Sequence, residues 1–214
     1  MIFADRRDAG RALARALRAM PGLDEAVVLA LPRGGVPVGY EVARELRLPL
    51  DVLVVRKLGA PGQEELALGA VARTGVVVVN AEIVRAFAIA QEQMDAMVAR
   101  EREEIARREA LYRGGRAGMD VTGRAAIVVD DGLATGSTMK AAVRTLRPVA
   151  ARLVVAVPVG SREACEELRC EADEVVCVQT PERFQAVGEF YRDFNQTSDG
   201  EVRELLVKAG SMAE

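Results

Sequence analysis

Short apolar blocks, rich in valine and largely without polar alternation, recur along the chain. Between them lie stretches whose apolar positions repeat every three or four residues. The blocks predict strands at Ala26–Leu31, Leu50–Val55, Val76–Val79, Ala125–Val129, Leu153–Val157 and Glu174–Val178. The helical periodicity predicts helices over Asp8–Met20, Val36–Leu46, Ala81–Tyr112, Thr138–Leu146 and Arg162–Glu171. Strands without alternation are those covered on both faces. Their regular interleaving with helices predicts an α/β fold, with a central, mostly parallel sheet flanked by helices. No internal repeat, linker or low-complexity segment divides residues 1–214, so a single domain is expected.

The predicted helix Ala81–Tyr112 is unusually long. Ile83, Phe87, Ala90, Met94 and Met97 follow a 4-3-4-3 spacing and give its first half one greasy face. From Arg100 to Glu109 nearly every residue is charged, with acids and bases spaced to pair along a helix. A packed first half and a solvated second half is the favoured reading. A lid-like or dimer-forming insertion over about residues 81–113 stays open, and with it a homodimer.

Composition narrows the classes. Half of the residues are hydrophobic, 29% are charged and the net charge is −3, which gives no electrostatic footprint for nucleic acid. The apolar runs are too short to cross a membrane and the N-terminus carries no signal-peptide core, so a cytoplasmic location is expected. The sequence has no histidine, which excludes Ser-His-Asp and Cys-His nucleophilic machinery. Cys165, Cys170 and Cys177 read as reduced, mostly buried thiols rather than a metal site.

The chemistry concentrates in Ala125–Thr138, AAIVVDDGLATGST. A strand ends in two adjacent acids, Asp130 and Asp131, which suit a polyol or a metal ion. The turn Ala134-Thr135-Gly136-Ser137-Thr138 leads into a helix, where free backbone N–H groups and the helix dipole can hold a phosphate. A plain helix cap needs one Asp, Ser or Thr, not such a run of small and hydroxylated residues. After the first strand comes Pro32-Arg33-Gly34-Gly35-Val36-Pro37. Its glycines allow close backbone approach or positive φ, and Arg33 is a bidentate donor for phosphate oxygens. After the second strand, Arg56 and Lys57 precede a Gly/Pro-rich segment, Gly59-Ala60-Pro61-Gly62, which reads as a basic rim and a mobile loop. Four of the eight aromatic residues, Phe184, Phe190, Tyr191 and Phe194, fall in one C-terminal stretch.

The string Ala125–Thr138 closely resembles the phosphoribosyl pyrophosphate (PRPP) motif of type I phosphoribosyltransferases. The resemblance implies that Asp130 and Asp131 contact the ribose hydroxyls, directly or through Mg²⁺, while Ala134–Thr138 wrap the 5′-phosphate. It places the diphosphate loop at Arg33, Gly34 and Gly35, often with a strained peptide bond, and gives Lys57 and Arg56 to diphosphate. It implies a hood over about residues 180–199 that grips a heterocyclic base, with Phe184 and Tyr191 as the leading rings. The implied activity is Mg²⁺-dependent transfer of the phosphoribosyl group from PRPP to a nitrogenous acceptor, with Asp130, Asp131 and Lys57 as the catalytic set. The alternative is a sensor of PRPP or a nucleotide that does no catalysis. One departure limits the acceptor. Members using 6-oxopurines carry an acid three residues beyond the second motif acid, and Ala134 stands there.

Overall fold

The computed structural model describes residues 1–60, 63–72 and 77–211. Among these residues, eight strands form two sheets. The larger sheet is fully parallel, in the order β2-β1-β6-β7-β8, built from β1 (Val27–Ala30), β2 (Leu50–Val52), β6 (Ala125–Val129), β7 (Arg152–Val159) and β8 (Glu174–Gln179). Alternation along these strands explains why both faces need cover. Val28, Ala30, Ile127, Val129, Val154 and Ala156 join one apolar cluster with helices α1 (Arg6–Leu17), α2 (Gly35–Leu46) and α7 (Asp199–Gly210). Val27, Leu29, Ala126, Val128, Leu153 and Val155 join the opposite cluster with α5 (Ser137–Leu146) and α6 (Arg162–Arg169).

The stretch that reads as one strand, Leu50–Val55, is divided between the sheets. Its start pairs with β1, whereas Val55 opens β3 (Val55–Ala60) of a three-stranded antiparallel sheet. β3 pairs with β4 (Gln63–Ala72), and β4 with β5 (Val77–Val79). The basic pair therefore lies on a strand rather than on a rim before a loop. Leu58 and Leu68 are buried and supply the apolar anchors of this sheet. Of the segment expected to be a mobile loop, Pro61 and Gly62 lie outside the described residues, as does Val76 at the start of the third expected strand.

The long helix also differs from its expected form. It divides into α3 (Ala81–Ala86) and α4 (Gln91–Arg113), with Ala88 at a positive φ of 48° between them. Asn80 caps α3 through its side chain, which accepts from the backbone N–H groups of Glu82 and Ile83. The packed and solvated halves are nearly reversed. α3 buries none of its residues, while Met94, Val98, Glu101, Ile105, Glu109 and Tyr112 form a buried stripe through the charged half of α4. Its acids turn inward because arginines wait for them. Arg113 donates to Asp51 at 2.8 Å and to the Val52 carbonyl at 2.8 Å, and pairs with Glu109 at 2.9 Å, all three side chains being 8% exposed.

Helix α7 lies outside the predicted elements. Its signals are present in the sequence, since Ser198 accepts from the Glu201 N–H and Val202, Leu205, Leu206 and Ala209 give a helical stripe. Arg113→Met leaves Asp51 and Glu109 buried without their cation. The expected cost is about 3–5 kcal/mol in a urea melt, and a loss below roughly 1 kcal/mol would show the triad to be dispensable.

Candidate functional site

The carboxyl ends of the central strands β1 and β6 lie side by side, with Ala30 opposite Val129. The first carries the Arg33 turn and the second carries Asp130 and Asp131. The two turns touch. A Cβ on Gly34 would fall 2.0 Å from Asp131 Oδ2, and one on Gly35 would fall 2.7 Å from the Val129 carbonyl oxygen. Gly34 has a φ of −61°, so glycine is required by this close approach and not by positive φ. The Pro32–Arg33 peptide bond is cis.

Burial and mutual repulsion govern the acids. Desolvation, then the adjacent Asp131 charge, pushes the Asp130 carboxyl well above the usual range, and the Asp131 N–H donating to Asp130 Oδ1 at 2.8 Å pulls partly against this. Desolvation also raises Asp131, opposed by Arg6, whose Nε donates to Asp131 Oδ2 at 2.8 Å. Arg6 stands at the start of α1, its Nη1 donates to the Asn195 carbonyl at 2.6 Å, and its guanidinium lies 4.0 Å from the centre of the Phe194 ring. Sequence reading missed Arg6. It sits far from any motif, and only the fold brings it to the acids.

Beyond the acids, Leu133 is held to β7 by its N–H donating to the Val159 carbonyl and its carbonyl accepting from the Ser161 N–H, each at 2.9 Å. The Ser161 hydroxyl donates to the Ala134 carbonyl at 2.8 Å. Gly136, at a φ of 68°, precedes α5 and has no side chain with which to cap it. The first-turn N–H groups of α5 thus have no cap from Gly136; the Ser137 N–H reaches Thr135 Oγ1 at 3.5 Å, and the Thr135 and Ser137 hydroxyls are 3.1 Å apart. Thr138 follows on the first turn and is exposed.

The cations are distributed more widely than the sequence suggests. Consecutive strand residues point to opposite faces, and Arg56 and Lys57 do so here. Lys57 lines a cavity of about 390 Å³ with Ser137, Lys140 and Arg144 of α5. Arg56 turns to α4, where its Nε donates to Glu101 Oε2 at 2.8 Å. Arg33 Nη1 lies 3.8 Å from Asp199 Oδ1 at the start of α7. The structure thus joins Gly34 and Gly35 to the acid pair, and Lys57 to Ser137 at the start of α5, but directs the side chains of Arg33 and Arg56 to Asp199 and Glu101.

The aromatic group packs chiefly on itself. Phe184 stacks on Phe190 with centroids 5.7 Å apart. Tyr191 is buried between Phe3 and Phe194, at 5.6 and 4.9 Å, and its hydroxyl donates to the Asp131 carbonyl at 2.6 Å. This corrects the expected stacking role of Tyr191. Its faces are occupied, and it ties the segment after residue 180 to the acids instead. Phe184 stays half-buried at the same edge.

A parallel α/β sheet with an acid pair and a small-residue turn at its carboxyl edge belongs to the class of open α/β domains that take ligands at that edge. Residues 5–195 match the phosphoribosyl transferase domain family, and the chain belongs to that family. It is 50% identical over 209 residues to proteins from two Mycobacterium tuberculosis strains, provisionally named phosphoribosyl transferases. The match covers 97% of this chain and 47% of theirs, so the chain spans about half the length of these curated relatives. The crystal structure of TT1426 from Thermus thermophilus superposes with a TM-score of 0.87 at 45% identity, covering 97% of this chain and 99% of that one.

The raised Asp130 carboxyl has a measurable consequence. The folded state holds that proton more tightly than the unfolded chain does, so stability falls as pH rises from the ordinary carboxylate range toward the raised value. Asp130→Asn removes the charge while its Oδ1 can still accept from Asp131. At neutral pH it should raise stability by about 1 kcal/mol, roughly 2–4 °C in melting temperature. A lower melting temperature would show that the carboxylate is not strained where it sits.

Proposed function

We propose that the chain transfers the 5-phosphoribosyl group of PRPP to a nitrogenous, nucleobase-like acceptor and releases diphosphate. The observation that carries this reading is the direct contact of the Arg33–Gly35 turn with the Asp130–Asp131 pair. It sets a diphosphate grip and a ribose grip against each other, with the phosphate turn following on the same strand end. The C1–O bond to diphosphate breaks with its electron pair leaving on oxygen, and the acceptor nitrogen's lone pair forms the new C1–N bond. Positive charge builds on the ribose as it does so, and the two carboxylates beside it favour that charge. Arg33 and Lys57 stabilise the departing anions and fix the donor's orientation.

The crowded acids fit a divalent cation. Asp130 and Asp131 would hold Mg²⁺, directly or through ribose hydroxyls, and the ion would neutralise the diphosphate. Mg²⁺ takes few protein ligands and completes its shell with substrate oxygens and water, so two carboxylates would serve it. Ala134 gives the phosphate turn no acid or base, so proton removal from the acceptor falls to another group or to the acceptor itself. This weighs against 6-oxopurine substrates. Among the described residues no helix is long and apolar enough to cross a membrane. The setting we propose is cytoplasmic, with small-molecule partners and no nucleic acid.

A sensor that binds PRPP without turnover is the second reading, favoured by the carboxylates that already engage Arg33 and Arg56. Two measurements separate the readings. Calorimetry should detect PRPP with Mg²⁺, and Asp131→Asn should weaken binding by about tenfold to a hundredfold with an unchanged circular dichroism spectrum. No heat with PRPP would end both readings. A diphosphate-release assay across purine, pyrimidine and related acceptors should then find one substrate and lose turnover with Lys57→Ala. Silence across the panel, with PRPP bound, selects the sensor.

A further inference from the structure

Two of the cations that the resemblance assigns to diphosphate meet carboxylates from one helical layer. Arg56 Nε donates to Glu101 Oε2 at 2.8 Å, Arg100 Nε donates to the other oxygen at 3.3 Å, and Glu101 is only 10% exposed. Arg33 Nη1 lies 3.8 Å from Asp199 Oδ1, and the same oxygen accepts the Tyr112 hydroxyl at 3.1 Å. Glu101 and Tyr112 both belong to the buried stripe of α4. Their spacing puts them on one helix face about three turns, or roughly 16 Å, apart. One face of α4 therefore touches Arg56 directly, and Arg33 through Asp199 of α7.

A carboxylate at such a position is a poor structural choice unless its charge is used. An apolar residue at Glu101 would continue the stripe of Val98 and Ile105 without the desolvation cost of a buried acid. The arginine ends of both pairs stay more than a third exposed, at 37% for Arg56 and 36% for Arg33, so each guanidinium can reach another anion. Diphosphate carries more negative charge than one carboxylate and offers oxygens spaced for bidentate pairing.

We propose that Glu101 and Asp199 are exchangeable counter-carboxylates: they hold Arg56 and Arg33 in the free protein, and diphosphate takes the arginines from them on binding. Donor binding is thereby coupled to the seating of α4 and α7 on the sheet. The inference rests on the proposed donor site. Linkage makes the coupling reciprocal, so weakening the carboxylate grip strengthens diphosphate binding by the same factor.

The test uses inorganic diphosphate with Mg²⁺, and separately PRPP with Mg²⁺, titrated calorimetrically into the wild type, Glu101→Gln and Asp199→Asn. Each substitution should lower the diphosphate Kd by about threefold to tenfold, matching the loss of one partly exposed ion pair. Hydrogen exchange should show the α4 amides around Glu101 exchanging faster in wild type when diphosphate is added. If wild type binds while both variants bind equally or more weakly, the exchange is overturned and the donor site survives. If wild type binds neither probe, the donor site itself falls, and the inference with it. Asp199→Asn lies at a half-exposed helix start and decides the question for Arg33 even if Glu101→Gln fails to fold.

Discussion

Adjacent carboxylates at the end of a buried strand pose the electrostatic problem around which the neighbouring elements are arranged. Asp130 and Asp131 are desolvated by the same sheet and repel each other, so both resist ionisation. Three elements answer them. Arg6 arrives from α1 with its guanidinium pinned by the Asn195 carbonyl and the Phe194 ring. Tyr191 fastens the aromatic segment to the Asp131 backbone. The Gly34–Gly35 turn gives up its side chains so that the backbone after β1 can rest against the acids. The residual repulsion is a reservoir that a bound cation can release, which is a common way for a site to trade stability for affinity.

The same logic separates two kinds of buried acid on α4. Glu109 shares Arg113 with Asp51, and the Val52 carbonyl takes a further N–H of that guanidinium. The Met119 N–H donates to the second Asp51 oxygen at 2.8 Å. That triad is enclosed, and it fastens the end of α4 to β2. Glu101 is equally enclosed, but its partners Arg56 and Arg100 reach it from the surface. Enclosed pairs fix a register, whereas a half-exposed pair can be exchanged. Both kinds arise from one charged run, and its role changes with the partner's exposure.

The parallel sheet, and the strand–turn–helix that carries Asp130, Asp131 and Gly136, were legible because each depends on local pattern. Unalternated valine runs, adjacent aspartates and a small-residue turn each have a short-range cause. The elements misjudged depend on distant partners. The run from Arg100 to Glu109 looked solvated because nothing in its spacing announces that Arg56 stands across from Glu101, or that Asp51 shares Arg113 with Glu109. The second sheet was hidden because Leu50–Val55 reads as one strand, although the chain changes sheets within it. Arg6 and Asp199 gain meaning only through Asp131 and Arg33, partners far away along the chain. Tyr191 carried a real signal, aromatic clustering, whose cause was packing and a hydroxyl contact rather than an open face.

The switch between sheets also distributes charge around the site. A parallel sheet presents its ligand groups from loops at one edge. The antiparallel sheet that begins at Val55 adds a second wall, packed on α4 and α5. Because strand residues alternate in direction, the adjacent cations Arg56 and Lys57 serve different neighbours. Lys57 shares a cavity with Ser137 and stands toward the phosphate turn. Arg56 stands toward Glu101. One strand thus meets the phosphate turn with one residue and α4 with the next, so motion of this sheet would act on both together.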